Sequence, residues 1–122
     1  MRISAPLTAT VLALSLCTPV LAADLKKVRK QADFLAQVAG HTYHDGKGNW
    51  VVINTDGSMK GKWNKQKLVG AWNWQGRFFC RNIVLGGKTL PTDCQEMYLS
   101  ATQLQGKRNK GKGDWAPLMT RK

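Results

Sequence analysis

Met59-Lys60-Gly61-Lys62-Trp63-Asn64-Lys65-Gln66-Lys67-Leu68-Val69-Gly70-Ala71-Trp72-Asn73-Trp74 decides the fold. In an extended chain successive side chains point to opposite faces, so residues two apart share one face. Met59, Gly61 and Trp63 therefore lie opposite Lys60, Lys62 and Asn64. Leu68, Gly70, Trp72 and Trp74 likewise lie opposite Val69, Ala71 and Asn73. The stretch is two strands joined by the turn Asn64-Lys65-Gln66-Lys67. Each has an apolar face containing glycine beside tryptophan, which marks a sheet that bends or packs closely.

The same grammar extends in both directions. Asp56-Gly57 is the strongest hairpin signal in the chain and separates Met59–Asn64 from Trp50–Asn54. Asp45-Gly46-Lys47-Gly48 closes an earlier strand over His41–His44. Gln75-Gly76 leads from Leu68–Trp74 into Arg77–Val84, and a longer loop from Leu85 to Asp93 carries Gly86-Gly87 and Pro91. A strand follows over Cys94–Ser100 and another from Gln103, with Trp115 and Met119 as anchors of the last one. Before all these, Val28, Phe34, Leu35 and Val38 follow a 3.6-residue period, which predicts a helix over 25–39 capped by Gly40. The expected fold is mainly β with a minor α part. It is an antiparallel meander curled into a small barrel or half-barrel, with one N-terminal helix packed on it or plugging it.

The first 23 residues read differently. Met1 and Arg2 give a short positive start, Leu7 to Leu21 carry no charge, and Val20-Leu21-Ala22-Ala23 offers small residues for cleavage after Ala22 or Ala23. This is the pattern of a secretory signal, and the apolar run is short for a membrane span. Residues 24–122 then form one domain, exported to the periplasm or secreted. Cys17 follows Leu16, which does not fit lipoprotein processing, and it leaves with the signal. That leaves Cys80 and Cys94, an even pair in an oxidising compartment, expected to form one structural disulfide at the base of the longest loop.

The chain has 19 Lys and Arg against 7 Asp and Glu. A strongly positive domain attracts anionic partners whatever its fold: anionic lipid, acidic glycan or nucleic acid. Two basic groups stand out as candidate anion-binding residues. Lys60, Lys62, Lys65 and Lys67 cluster around one hairpin, and Lys107, Arg108, Lys110 and Lys112 lie in a flexible Gly-rich segment. Tryptophans near the first group could stack bases, but the alternation puts lysines and tryptophans on opposite faces, which favours tryptophans inside and lysines in solvent.

Catalytic patterns are missing. The chain has no Gly-x-Gly-x-x-Gly and no phosphate-binding Gly-Lys-Ser/Thr loop. Glu96 is the only glutamate, and the aspartates sit mostly at turns, where they serve backbone geometry. His41 and His44 are three apart, so on one strand they face opposite sides and do not share a metal. No catalytic residue, metal site or cofactor is assigned. Arg81 and Glu96, flanking the two cysteines, are expected to form a cross-strand pair.

Gly70-Ala71-Trp72-Asn73-Trp74-Gln75-Gly76-Arg77-Phe78-Phe79-Cys80-Arg81, followed by Asp93-Cys94-Gln95-Glu96, resembles a family of small exported bacterial proteins. Phe34, Gly40, Asp56-Gly57 and Gly61 match as well, so the resemblance spans most of residues 24–122. It implies export, a disulfide and this fold, and supplies no functional residues. Members often carry the label dihydrodipicolinate reductase, which implies a nicotinamide-dependent enzyme. Three readings follow. The first is an exported, non-enzymatic basic protein that binds anionic partners or associates with the envelope. The second is a small-ligand barrel with Trp50, Trp72, Trp74 and Phe78 lining an internal pocket. The third is a reductase, as the family label implies.

Overall fold

The alternation read from Met59 to Trp74 is realised in full. In the computed structural model, which describes residues 24–122, the chain forms strands β1 (Lys26–Val28), β2 (Thr42–His44), β3 (Trp50–Ile53), β4 (Ser58–Trp63) and β5 (Gln66–Gln75). After these come β6 (Phe78–Leu85), β7 (Lys88–Thr89), β8 (Asp93–Leu99), β9 (Gln103–Lys107) and β10 (Met119–Arg121). One helix, α1 (Gln31–Val38), sits between β1 and β2. The expected signal segment and Cys17 lie outside the described residues.

Every pairing is antiparallel. The ring runs β8-β9-β10-β2-β3-β4-β5-β6 and closes where β6 returns to β8. The result is a closed eight-stranded antiparallel barrel, the architecture that removes exposed sheet edges. The closing seam is short. Phe79, Cys80 and Arg81 face Gln95, Cys94 and Asp93, and the two strands then overrun each other. β7 takes up the free edge of β6 through Val84 and Leu85, and β1 takes up the free edge of β8 through Met97 to Leu99.

That seam corrects the helix expected over 25–39. Lys26 to Val28 are drawn into a strand because β8 offers unpaired backbone groups there, and pairing them outweighs local helical periodicity. The helix starts at Gln31 and is eight residues long. Gly40 does stand just past its end in the left-handed region, with φ +76°. The Gly40 N–H donates to the Ile53 carbonyl at 2.9 Å, tying the helix end to β3.

Phe34 and Val38, four residues apart and both fully buried, form the inward stripe of α1. Phe34 packs at a tilt against Trp74 and Phe79, each at 5.3 Å between ring centroids, and meets Trp72 edge-on at 6.1 Å. Trp72 donates its indole N–H to the Asn54 carbonyl at 2.8 Å, so its one polar group is satisfied. The helix thus seals one end of the barrel. The glycines beside the tryptophans serve tight curvature: a Cβ at Gly70 would lie 2.6 Å from the Asn82 carbonyl oxygen, and one at Gly61 would collide with the Trp50 carbonyl.

Cys80 and Cys94 are bonded and sit directly opposite each other across the seam. The same register corrects the expected Arg81–Glu96 pair. With Cys80 facing Cys94, antiparallel counting sets Arg81 against Asp93, and Glu96 points to the opposite face. Glu96 instead pairs with Lys27 on β1 at 3.0 Å.

Candidate functional site: a cationic mouth on an apolar interior

Inside the barrel, Val51, Met59, Leu68, Ile83, Met97 and Leu104 face one another around a cavity of about 180 Å³. Phe79 lines it toward α1, where its ring packs against Phe34 and stacks on Trp72. At the far end, where β4 finishes at Trp63 and β6 at Leu85, the walls are Trp63, Leu85, Leu90, Ala116 and Pro117. Among the described residues no helix crosses this end, which is the mouth.

Two arginines line the cavity with these apolar side chains, the half-buried Arg81 and the exposed Arg108. Arg81 points inward because it alternates with Cys80 and Asn82 and shares a face with the buried Phe79 and Ile83. Burial draws the Arg81 guanidinium below its ordinary value; Asp93 opposes that effect and Arg108 adds to it. Asp93 is engaged elsewhere: its carboxylate accepts from the Gln95 side-chain amide at 2.9 Å and from the Asn109 backbone N–H at 3.0 Å. Arg81 donates to the Pro91 carbonyl at 3.3 Å. Among the described residues the one ion pair is Lys27–Glu96, so Arg81 has no salt-bridge partner. Gln95, a buried polar residue, fits inside because Gly106 on the neighbouring β9 lacks a Cβ, which would strike the Gln95 amide oxygen.

The first basic cluster lies at this same end of the barrel. Asn64 and Lys65 both have positive φ, 49° and 65°, which makes the β4–β5 connection a two-residue turn of the kind that suits strand twist. The four-residue turn expected there is therefore shorter, with Gln66 and Lys67 already in β5. Lys60, Lys62 and Lys67 are exposed on the outer face, and Lys62 and Lys67 stand directly opposite each other. Like charges at such a position destabilise a sheet, and no acid among the described residues pairs with them.

The second basic cluster is not the open segment expected. Arg108 to Gly113 form a hydrogen-bonded turn, with the Gly113 N–H donating to the Arg108 carbonyl at 2.9 Å and the Arg108 N–H to the Asp114 carbonyl at 3.0 Å. The Lys110 N–H donates to the Cys94 carbonyl at 2.6 Å, which folds the turn back onto β8. Lys107 lies 5.0 Å over the Trp115 ring and Lys110 lies 5.8 Å over the Phe78 ring. Lys112 is exposed.

The expected pocket of Trp50, Trp72, Trp74 and Phe78 is divided by strand register. Trp72 and Trp74 face inward and belong to the aromatic seal with Phe34. Trp50 faces outward beside Lys62, because Val51 and Ile53 take the inner positions of β3. Phe78 is outward for the same reason: Phe79 takes the inner position. His41 precedes β2 and His44 ends it, with the buried Tyr43 between. No group of three or more His, Cys, Asp or Glu among the described residues is placed to hold a metal ion.

The sole glutamate ties β1 to β8. Glu96 accepts from Lys27 and from the Tyr98 hydroxyl, and these bonds, Lys27 first, hold its carboxyl below the ordinary value of 4.5. Asp56 is likewise lowered, first by the Ser58 hydroxyl and then by the Ser58 N–H. A carboxylate that binds protons more weakly folded than unfolded stabilises the fold above its ordinary pKa and stops doing so as pH falls through its folded pKa. Melting temperature is therefore expected to decline as pH drops below 4.5, and Glu96→Gln should make that decline shallower. Equal acid sensitivity in the variant, measured by thermal unfolding from pH 7 to 3, would remove Glu96 from the account.

Fold and site together define a small closed β-barrel with one sealed end and one open, cation-bearing end. Comparison with protein-family models, curated proteins and solved structures finds no match for this chain.

Proposed function

We propose that this is an exported, non-catalytic binding protein that takes anionic partners at the open end of its barrel. The observation that carries this reading is the pairing of Lys62 directly against Lys67, with Lys60 and Lys65 nearby. A strand pair that sets two lysines face to face loses stability unless something anionic lies over them. The surrounding charge agrees: taking Arg2 away with the signal leaves the domain at about +11.

Lys67→Glu separates the functional from the structural consequence. It places opposite charges across the pair, so the fold should gain about 0.2–1 kcal/mol. Binding to vesicles of mixed phosphatidylglycerol and phosphatidylcholine should fall by roughly tenfold or more in the same variant, and wild-type binding should weaken steeply as salt rises from about 50 to 300 mM. Wild-type vesicle binding that ignores both salt and the substitution would overturn the proposal. The reductase named by the family resemblance requires a Gly-rich strand-to-helix turn in a doubly wound parallel sheet. The described residues form an antiparallel barrel instead.

A further inference from the structure

We infer that the barrel interior is a binding site for a single-tailed organic monocarboxylate, its tail in the cavity and its head group on Arg81. The inference rests on the proposal above only for the sign of the ligand's charge; it assigns a different place and different residues.

Three properties of the cavity select the ligand. The first is size. An apolar cavity of 150 Å³ accepts a benzene ring, so about 180 Å³ admits a phenyl group or an aliphatic tail of roughly six to eight carbons. The second is wall chemistry. Leu68, Ile83, Met97 and Leu104 offer a tail only apolar contact, and unbranched methionine side chains adjust to irregular shapes. The third is charge. Arg81 and Arg108 both line the cavity and repel each other, while Asp93 compensates only part of their charge. The three formal charges sum to one positive, which matches a monoanion better than a phosphate dianion. A guanidinium also presents a planar fork that receives a carboxylate through two hydrogen bonds.

The position of Arg81 fixes how such a ligand would lie. It sits two residues past Phe79, beside the point where β6 leaves β8 and Pro91 and Leu90 begin the mouth. A carboxylate on Arg81 lets the tail run along Ile83 and Met97, and a ligand bearing a cation would meet two like charges instead.

The test uses the intact protein with octanoate, octanol and acetate as probes. Octanoate should bind by calorimetric titration at least about tenfold more tightly than octanol, which lacks the charge, and than acetate, which lacks the tail. With ¹³C-methyl-methionine protein, tail protons should show nuclear Overhauser contacts to the cavity methyls of Met59, Met97 and Met119. Arg81→Gln should lose about tenfold or more in octanoate affinity with octanol unchanged; the methionine contacts in wild type need no variant and decide the matter if Arg81→Gln does not fold. Acetate binding as tightly as octanoate, or octanoate binding without methionine contacts, overturns the interior site while leaving vesicle binding at the lysine face intact. Methionine contacts together with salt-insensitive vesicle binding would support the interior site and overturn the surface proposal alone.

Discussion

Replacing Phe34 with alanine should cost about 3–5 kcal/mol, the range for removing a fully buried aromatic side chain. For a domain of this size that is a fall in melting temperature of roughly 15–30 °C. The effect is large because Phe34 is more than a core residue. Its ring meets those of Trp72, Trp74 and Phe79 at once, and Phe79 lines the cavity. The helix that carries it is only eight residues long, with no side-chain cap at its N-terminus. Such a helix is marginal alone and owes its stability to packing. Near-ultraviolet circular dichroism from the tryptophans should weaken along with stability. Phe34→Leu, which keeps part of the apolar volume, should recover part of the loss. A cost below about 1 kcal/mol for Phe34→Ala would mean that the helix lies on the barrel without sealing it.

Removal of the disulfide by the paired change Cys80→Ser and Cys94→Ser should cost about 3 kcal/mol. The bond closes a loop with a sequence separation of 14, and restricting the unfolded chain over such a loop accounts for that figure. Its placement adds a local consequence. β5 and β6 pair along eight residues, whereas β6 and β8 meet only at Phe79, Cys80 and Arg81. The bond stands at the middle of this three-residue seam, between strands separated by the long loop. Amide exchange should therefore accelerate most at the seam, over Phe79–Arg81 and Asp93–Gln95, and least between β4 and β5. Urea unfolding with and without reductant gives the energy, and exchange gives the location. Uniform acceleration around the barrel would show that the seam has no special weakness.

Much of this architecture was legible in the residues. The alternation in Met59–Trp74 placed Met59, Leu68 and Trp72 inside and the lysines outside, and the turn signals divided the chain into strands close to their observed bounds. The even cysteine pair and the left-handed glycine after the helix were also readable. What failed was information that depends on partners distant in sequence. Lys26 to Val28 look helical until β8 supplies an edge for them to cover. Trp50 and Phe78 look like lining residues because they are aromatic, and only the parity of Val51 and Phe79 turns them outward.

Arg81 was the most consequential residue to be misplaced. Its type argues for the surface, and its neighbour in sequence, Cys80, drew attention to a pairing with Glu96. Yet Phe79-Cys80-Arg81-Asn82-Ile83 alternates as cleanly as the opening stretch, and reading that alternation through would have set Arg81 on the apolar face. The cavity itself was not legible, since its volume depends on how far eight strands stand apart.

The decisive observation concerns which end of the barrel meets an anion, because both ends carry cations. Lys26, Arg29 and Lys30 are exposed around β1 and α1, while Lys62, Lys65, Lys67 and Arg108 stand at or near the open end. Titrating ¹⁵N-labelled protein with octanoate and mapping backbone amide shifts distinguishes the two. The account predicts shifts concentrated at Trp63, Arg81, Leu90 and Arg108, with Gln31–Val38 unmoved. Shifts centred on Lys26–Val38, with the open end silent, would contradict it.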